Sequence, residues 1–428
     1  MIIQVLKNWR WLSRTQWLSR EELMSIQAQK LRAMVSHAYN TTAFYKRLYG
    51  PTLPEIQTSR DIKKLPLITK EHLRSVPLEE RTAVGTDLKR CLKRTTSGTS
   101  GIPVVILEDP ASAAYVEGLS IRRLWAYGVR PWHKVVRVVS GSPEKVYTEN
   151  IADLAGLWGS FRRNRVTRLS LAEDPRNHLE IFKKGVDVLF AFVTYYRALR
   201  EVCEEREVDI NFKIAITAGE LLDSATRKMI SDTFGAEVFD GYGCVEVAAP
   251  SHLAWECPSH YAYHINVDSV VLEFLKDGEE VSPGESGEVV ATSLFRWATP
   301  VIRYRLGDLA TPLDDECPCG RGLPLLKNIE GRVVDMIRIP DGGFISPYAV
   351  METIQDVEGL GQYKVLQRSD YSIEVMVKAV GDVEKVVAEV DRRCRMLFKT
   401  LDYRIKVVDK IEAERGKKFK FVESQVTS

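Results

Sequence analysis

The decisive stretch of this sequence reads Thr95-Thr-Ser-Gly-Thr-Ser-Gly-Ile-Pro103. Five hydroxyl side chains and two glycines fill its first seven positions, a composition that suits neither a strand interior nor a helix interior. Glycines let the backbone approach an anion closely, and hydroxyl and backbone N–H groups donate hydrogen bonds to phosphate oxygens. No Gly-Lys-Ser/Thr follows, so the stretch is not a Walker A loop. Taken alone, its composition favours a flexible polar loop over a phosphate-binding loop.

The residues around this loop predict an α/β fold. Short β-rich runs at 134–139, 212–217 and 237–239 alternate with amphipathic segments such as 223–234. This alternation is typical of sheets covered by helices. Near the N-terminus, Ser19-Arg-Glu-Glu22 is a capping box that predicts the start of a helix.

The pattern changes in the second half of the chain. Residues 269–292 are hairpin-like and contain Pro-Gly and Ser-Gly turns, and a helical stripe follows Gly381-Asp382. We therefore predict a large N-terminal domain over 1–331, made of helix-covered sheets with a β-rich subdomain. A small, mobile α+β domain is predicted over 332–428.

Composition excludes several classes of protein. The chain has 428 residues, 45% of them hydrophobic, and a formal net charge of +2. A near-neutral chain has no global field to recruit nucleic acid or a membrane surface. The longest apolar run, 186–193, is far too short to span a bilayer. No secretion signal is evident, and the odd count of seven cysteines favours reduced thiols and a cytoplasmic location.

Four further segments carry chemistry only in combination. In Phe239-Asp-Gly-Tyr-Gly-Cys-Val-Glu246, an aromatic ring between glycines could stack on a base, and a carboxylate follows that could hold Mg²⁺. In Tyr304-Arg-Leu-Gly-Asp308, a carboxylate after a turn glycine suits ribose hydroxyls. Glu330-Gly-Arg-Val-Val-Asp335 and Arg415-Gly-Lys-Lys-Phe-Lys420 would each be interpreted, alone, as charged surface turns.

Together and in this order, the five segments resemble the adenylate-forming superfamily of acyl-CoA synthetases, adenylation domains and luciferases, and in particular its phenylacetate–CoA ligase-like branch. The resemblance covers nearly the whole chain. It implies a ligase that uses ATP and Mg²⁺ to convert a carboxylic acid into an acyl-adenylate, which the thiol of coenzyme A then attacks. It also implies a homodimer.

The resemblance assigns roles to individual positions. Tyr242 would face the adenine, Glu246 would bind Mg²⁺, Asp308 would hold the ribose hydroxyls and Arg332 would support the nucleotide. A catalytic lysine would bridge the acyl carboxylate and the α-phosphate. The family's lysine directly follows a glycine, which selects Lys417, whereas an alignment on 419–422 selects Lys418. The remaining nucleotide-binding candidates are Thr95, Thr96, Ser97, Gly98, Thr99, Ser100, Gly101, Gly219, Glu220, Asp240, Gly241 and Gly243.

Two positions depart from the family pattern and keep alternatives open. Val245 stands where the family has Thr or Ser, and Val334 stands where it has an acidic residue. A catalytically idle nucleotide-binding protein is one alternative, and an adenylating enzyme that loads a carrier protein or an amine is another. The aromatic stretch 190–196 either lines an acyl pocket suited to an aryl acid or is a buried strand followed by the start of a helix.

A structural zinc site is a separate hypothesis. Cys317-Pro-Cys319 and the upstream pair Cys257 and His264 would supply four N/S ligands for a closed tetrahedral site. The alternative is two free cysteines on a turn and a surface histidine. Relatives that share the segment 317–321 favour the metal, which would have no open position for a water molecule.

Overall fold

The computed structural model describes residues 1–95, 104–139, 166–340, 342–411 and 420–426. Two groups of predicted site residues lie outside these ranges: Thr96 to Gly101 of the hydroxyl-rich loop, and both candidate lysines, Lys417 and Lys418. Thr95 is described and ends strand β1.

A large mixed sheet confirms the predicted α/β class. β1 (Leu92–Thr95) and β2 (Val105–Glu108) form a separate antiparallel pair. Twelve further strands, within the described residues, form the main sheet. They are β3 (Val135–Val139), β4 (Val166–Ser170), β5 (Val188–Ala191), β6 (Ile214–Ala218), β7 (Glu237–Tyr242), β8 (Ala254–Glu256), β9 (Tyr263–Ile265), β10 (Val270–Lys276), β11 (Glu279–Glu280), β12 (Gly287–Ser293), β13 (Tyr304–Leu313) and β14 (Leu325–Arg332).

The main sheet has a parallel half and an antiparallel half. Its order is β11-β10-β12-β13-β14-β9-β8-β7-β6-β5-β3-β4. β4, β3, β5, β6 and β7 run parallel, whereas the pairs from β7 through β14 to β11 are antiparallel. The carboxyl ends of β6 and β7 therefore meet at the boundary between the two halves. Such edges commonly form ligand sites in open α/β sheets.

Helices cover both faces of the parallel half. The helices described before the C-terminal unit are α1 (Ile2–Thr15), α2 (Arg20–Thr41), α3 (Ala43–Tyr49), α4 (Lys70–Ser75), α5 (Leu78–Arg81), α6 (Pro110–Ala126), α7 (Leu179–Lys183), α8 (Val193–Arg206) and α9 (Ser224–Phe234). α8 and α9 pack on one face through Tyr196, Leu199 and Phe234, and the C-terminal end of α6 lies over the other face. The capping box at α2 is confirmed, because Ser19 and Glu22 exchange backbone–side-chain hydrogen bonds.

The C-terminal unit has its own sheet and core. It contains β15 (Ile337–Arg338), β16 (Phe344–Ile345), α10 (Pro347–Ile354), β17 (Leu360–Gln367), β18 (Ile373–Ala379), α11 (Val383–Phe398), β19 (Tyr403–Val407) and β20 (Val422–Ser424). The sheet order is β19-β18-β17-β20, and Val365, Val375 and Val390 lie in a core beneath the two helices. The domain boundary at 331/332, which falls at the end of β14, stays a prediction.

Among the described helices, none is both long and apolar enough to cross a bilayer.

Candidate active site

A cavity of about 510 Å³ lies between the carboxyl ends of β6 and β7 and the C-terminal unit. Pro347, Met351 and Phe421 of the C-terminal unit line one side of it. Most of the predicted nucleotide-binding residues among those described line the other side. They are Gly219, Glu220, Asp240, Gly241, Tyr242, Gly243, Asp308 and Arg332.

A trio of interacting side chains, Tyr242, Asp308 and Arg332, forms the polar wall of this cavity. The Tyr242 hydroxyl donates a hydrogen bond of 2.9 Å to Asp308 Oδ2, and Arg332 Nε lies 3.6 Å from Asp308 Oδ1. The register of β13 and β14 pairs Asp308 with Arg332. Burial raises the pKa of Tyr242 well above its usual value, so the phenol stays protonated and remains a donor. The trio joins three of the motifs that were separate in sequence.

Glu246 follows β7 and is buried, with 9% of its surface exposed. Its Oε1 accepts a hydrogen bond of 3.2 Å from the Tyr304 hydroxyl, whose own pKa is raised by burial and by the neighbouring carboxylate. Lys70 lies nearby: burial lowers its pKa, Glu246 opposes that shift and Arg332 adds to it. Carboxylate oxygens are ligands that Mg²⁺ prefers, so Glu246 fits its predicted role as a Mg²⁺ ligand.

Two glycines of β7 and its following turn are required by close packing. A Cβ on Gly241 would lie 2.4 Å from Ser251 Cβ, and a Cβ on Gly243 would lie 2.4 Å from the Ala249 carbonyl oxygen. Any side chain there would displace the loop at 249–252. The glycine spacing of this motif therefore has a steric cause.

Two of the predicted nucleotide-binding carboxylates also have structural partners. Glu220 accepts hydrogen bonds of 2.8 and 3.0 Å from the backbone N–H and hydroxyl of Thr194, at the start of α8. Asp240 accepts hydrogen bonds from Thr217 (2.5 Å) and Tyr263 (2.9 Å), and its burial raises its pKa to about 6. These bonds support the floor of the cavity beneath the Tyr242 trio.

Sequence reasoning missed one ion pair at the cavity edge. Lys420 Nζ lies 2.7 Å from Asp335 Oδ1, and both residues line the cavity. They are the last residues of the fourth and fifth motifs, so two charged segments meet there. Each motif is visible in the sequence, but a pairing over 85 positions has no local signal there.

The aromatic stretch 190–196 has two structural parts. Tyr195 and Tyr196 are buried in the core under α8, where the Tyr196 hydroxyl donates to the Leu189 carbonyl at 2.6 Å. Phe190 lies on the other face of the sheet, toward α6. Only its first part is therefore placed to contact a ligand on the α6 side.

The chain is similar in sequence to several known enzymes. Over 412 residues the chain is 26% identical to the phenylacetate–coenzyme A ligase of Escherichia coli K12, covering 91% of this chain and 89% of that enzyme. It is also 26% identical to the phenylacetate–coenzyme A ligase of Thermus thermophilus, covering 75% and 73%. This chain is a relative of the phenylacetate–coenzyme A ligases. No family model matches it.

A solved structure agrees with the fold. The chain superposes on 2-hydroxyisobutyryl-CoA ligase in its postadenylation state with a TM-score of 0.83 and 20% identity. The superposition covers 97% of this chain and 91% of that one. The predicted family resemblance and fold class are both confirmed, whereas the residue roles stay predictions.

A second candidate site lies on the antiparallel half of the sheet. The structure brings together the ligand atoms of Cys257, His264, Cys317 and Cys319, all within 4.8 Å of one another. Cys257 Sγ lies 3.4 Å from Cys317 Sγ, and His264 Nε2 lies 3.3 Å from Cys319 Sγ. Two such pairs fit the four corners of a tetrahedral metal site with Zn–S near 2.3 Å. The residues fit a metal, and its binding stays a prediction.

Proposed function

We propose that this protein activates a carboxylic acid with ATP and transfers the acyl group to the thiol of coenzyme A. The trio of Tyr242, Asp308 and Arg332, linked by one hydrogen bond and one ion pair in the 510 Å³ cavity, carries the proposal. It sets the Tyr242 ring, at the carboxyl end of parallel strand β7, beside the Asp308 carboxylate of antiparallel strand β13. The relationship to phenylacetate–coenzyme A ligases supports this choice of reaction.

In the first step a carboxylate oxygen of the substrate attacks the α-phosphorus of ATP, and the bond from phosphorus to pyrophosphate breaks. Asp308 would accept hydrogen bonds from the ribose hydroxyls, and the Tyr242 ring would lie against the adenine. Because two anions must meet, positive charge is needed at the reacting atoms. Lys417 or Lys418 would supply it. Mg²⁺ held by Glu246 would neutralise charge on the phosphates.

In the second step the sulfur of coenzyme A attacks the acyl carbon, the bond to AMP breaks and the thiol proton passes to solvent. The C-terminal unit, which lines one side of the cavity, would move between the two steps. A domain boundary at 331/332 belongs to this proposal.

Zinc at the four-ligand cluster is the second part of the proposal. Cys257, Cys317 and His264 are buried, and His264 Nδ1 has no hydrogen-bond partner among the residues that the structure describes. Four protein ligands leave no open position, so the metal would tie β8 and β9 to the 317–319 turn. None of the seven cysteines, all of them in the described ranges, forms a disulfide, which supports the proposed cytoplasmic location. The homodimer stays a prediction.

The reaction is tested by product analysis. The protein is incubated with ATP, Mg²⁺ and a panel of acids, with either coenzyme A or a phosphopantetheinyl carrier protein. We expect AMP, pyrophosphate and an acyl-CoA thioester in equal amounts. Label found on the carrier alone would refute the coenzyme A acceptor. ATP binding without any AMP formation would favour an idle nucleotide-binding protein.

A further inference from the structure

The proposed nucleotide site lies across the boundary between the two halves of the main sheet. Tyr242 is on β7, whereas Asp308 and Arg332 are on β13 and β14. Two strands of three residues each, β8 and β9, lie between β7 and β14 in the sheet. β8 pairs with β7, and β9 pairs with β14, through two residue pairs each. We call this hairpin, residues 254–265, the seam of the sheet, because it joins the two sides of the site.

The seam holds the end of β7 beside the cavity. Glu256 and Tyr263 are paired across the seam, and both line the cavity. The Asp240 backbone N–H donates to Glu256 Oε2 at 2.8 Å, and the Tyr263 hydroxyl donates to Asp240 Oδ2 at 2.9 Å. Asp240 and Tyr242 belong to the same strand. A movement of the seam would therefore move the carboxyl end of β7, with the Tyr242 ring.

Two of the four metal-ligand candidates lie on the seam. Cys257 directly follows β8, and its backbone N–H donates to the Ala262 carbonyl at 2.8 Å. His264 is the middle residue of β9, and its ring lies 5.0 Å from that of Trp255, its partner on β8. Successive residues of a strand point to opposite faces, so His264 points away from the cavity that Tyr263 lines. The cluster therefore lies behind the cavity wall.

The other two candidates come from the opposite side of the site. Cys317 and Cys319 lie in the connection between β13 and β14, the two strands that carry the rest of the trio. Both close contacts of the cluster cross from the seam to this connection. Cys257 Sγ lies 3.4 Å from Cys317 Sγ, and His264 Nε2 lies 3.3 Å from Cys319 Sγ. One metal ion bound by all four residues would join the seam to the β13–β14 connection.

We propose that the cluster of Cys257, His264, Cys317 and Cys319 is a metal-dependent clamp that sets the affinity of the adjacent cavity for ATP. Zinc holds the seam against the β13–β14 connection, and so fixes the spacing at which the two sides of the nucleotide site meet. Loss of zinc frees the seam and lets the two sides separate. The inference rests on the proposed function, because it links the ATP site to the zinc site of that proposal.

The first test measures ATP binding with and without the metal. Zinc is removed with a chelator under reducing conditions, the chelator is dialysed away, and the Kd for Mg·ATP is measured by calorimetry before and after zinc is returned. We expect the metal-free protein to bind ATP about tenfold more weakly, the effect of losing about one hydrogen bond. Added zinc should restore the affinity.

Two cysteine variants serve as a matched pair. Cys317→Ser should bind ATP weakly whether or not zinc is added. Cys203, a buried cysteine on α8, lies outside the cluster, so Cys203→Ala should match the wild type in zinc content and in ATP affinity.

A further variant separates a clamp from a general effect of zinc on folding. Tyr263→Phe removes the hydroxyl that donates to Asp240 and leaves all four ligands in place. We expect normal zinc content, and an effect of zinc on ATP affinity that falls from about tenfold to about threefold or less. Zinc that acted through overall stability would have the same effect in this variant as in the wild type, and that result would overturn the clamp.

Zinc affinity gives the same comparison if the metal-free protein is unfolded. Linkage requires ATP to tighten zinc binding by the factor by which zinc tightens ATP binding. Competition with a chromophoric chelator, with and without Mg·ATP, measures this factor for the wild type and for Tyr263→Phe, at ATP concentrations scaled to the Kd of each protein. A smaller factor in the variant would support the clamp, and equal factors would overturn it.

The outcomes distinguish the clamp from the proposed reaction. If a folded protein bound ATP equally well with and without zinc, the clamp would be overturned, and the reaction and the zinc site would stand. If the protein bound no zinc, the clamp and the zinc site would be overturned together, and adenylation would stand. Zinc-dependent ATP binding in a protein that forms no AMP with any acid would support the clamp and count against the reaction.

Discussion

The protein contains two acid–arginine pairs in contrasting surroundings: one is buried in the core, and the other lines the cavity. In one, Arg122 of α6 and Asp268 are fully buried and lie 2.5 Å apart, and the Thr15 hydroxyl donates to the same carboxylate at 2.7 Å. In the other, Asp308 and Arg332 lie 3.6 Å apart with side chains 18% and 49% exposed, against a cavity. The first pair is shielded from solvent and from any ligand, whereas the second borders a cavity in which a ligand could bind.

The difference separates structural charges from charges available to a substrate. Burial by itself would raise the pKa of Asp268, but the adjacent Arg122 guanidinium lowers it below its usual value. This pairing satisfies the carboxylate without any ligand. We expect stability to depend on the first region and catalysis on the second.

The largest expected effect breaks the closed pair. Arg122→Met leaves Asp268 as a buried carboxylate without its paired guanidinium, and should lower the free energy of unfolding by about 3–5 kcal/mol. Urea denaturation measures this change. The double variant with Asp268→Asn should recover part of the loss, and a loss of less than about 1 kcal/mol in the single variant would contradict the structural role.

The next effect belongs to the cavity region. Glu246→Gln removes the proposed Mg²⁺ ligand charge and should lower the rate of adenylation by about 10²–10³-fold. The melting temperature should stay close to that of the wild type. Glu204→Gln, on the exposed side of α8, is the control. If the variant had a lower melting temperature and an unchanged adenylation rate, Glu246 would be needed for folding and not for catalysis.

The cluster of Cys257, His264, Cys317 and Cys319 is a third polar region, and we expect it to contribute to stability, as the Arg122–Asp268 pair does. We expect about one zinc ion per chain by elemental analysis. Zinc at a free concentration 100-fold above its dissociation constant should stabilise the fold by about 2.7 kcal/mol. Cys317→Ser should remove both the metal and the stabilisation. A metal-free protein as purified, unchanged by added zinc, would refute the site.

The smallest effect concerns the link within the trio. Tyr242→Phe removes the hydroxyl that donates to Asp308 and keeps the ring, so the loss should be about 0.5–1.5 kcal/mol. This corresponds to an increase in the KM for ATP of at most about tenfold. Steady-state kinetics at saturating acid measure it. A loss greater than a hundredfold would show that the hydroxyl itself takes part in the chemistry.

Much of the fold was predictable because its signals are local. The capping box of α2 and the Asp caps of α9 and α11 mark helix starts that the structure confirms. Tertiary contacts decided the rest. On α2 the apolar Ile26 is only half-buried, while the neighbouring polar Gln27 is buried and donates to the Val270 carbonyl at 2.8 Å.

Only those site residues that lie in recognisable sequence motifs could be predicted. The order of motifs linked Tyr242 and Asp308, although they are 66 positions apart, because the resemblance supplied both. The Lys420–Asp335 ion pair joins two motifs over 85 positions, a pairing that no local sequence pattern records. The cluster of four metal ligands required only residue types, so the sequence sufficed to nominate it.

The central claim is adenylation, and ATP–pyrophosphate exchange tests it most directly. Exchange is measured with Mg²⁺ and a panel of monocarboxylic and dicarboxylic acids for the wild type, Lys417→Ala and Lys418→Ala. We predict exchange that requires an acid and falls by about 10²–10³-fold in one lysine variant, Lys417→Ala. Exchange lost in Lys418→Ala instead would identify the other lysine. No exchange with any acid, in a folded protein that binds ATP, would contradict the account.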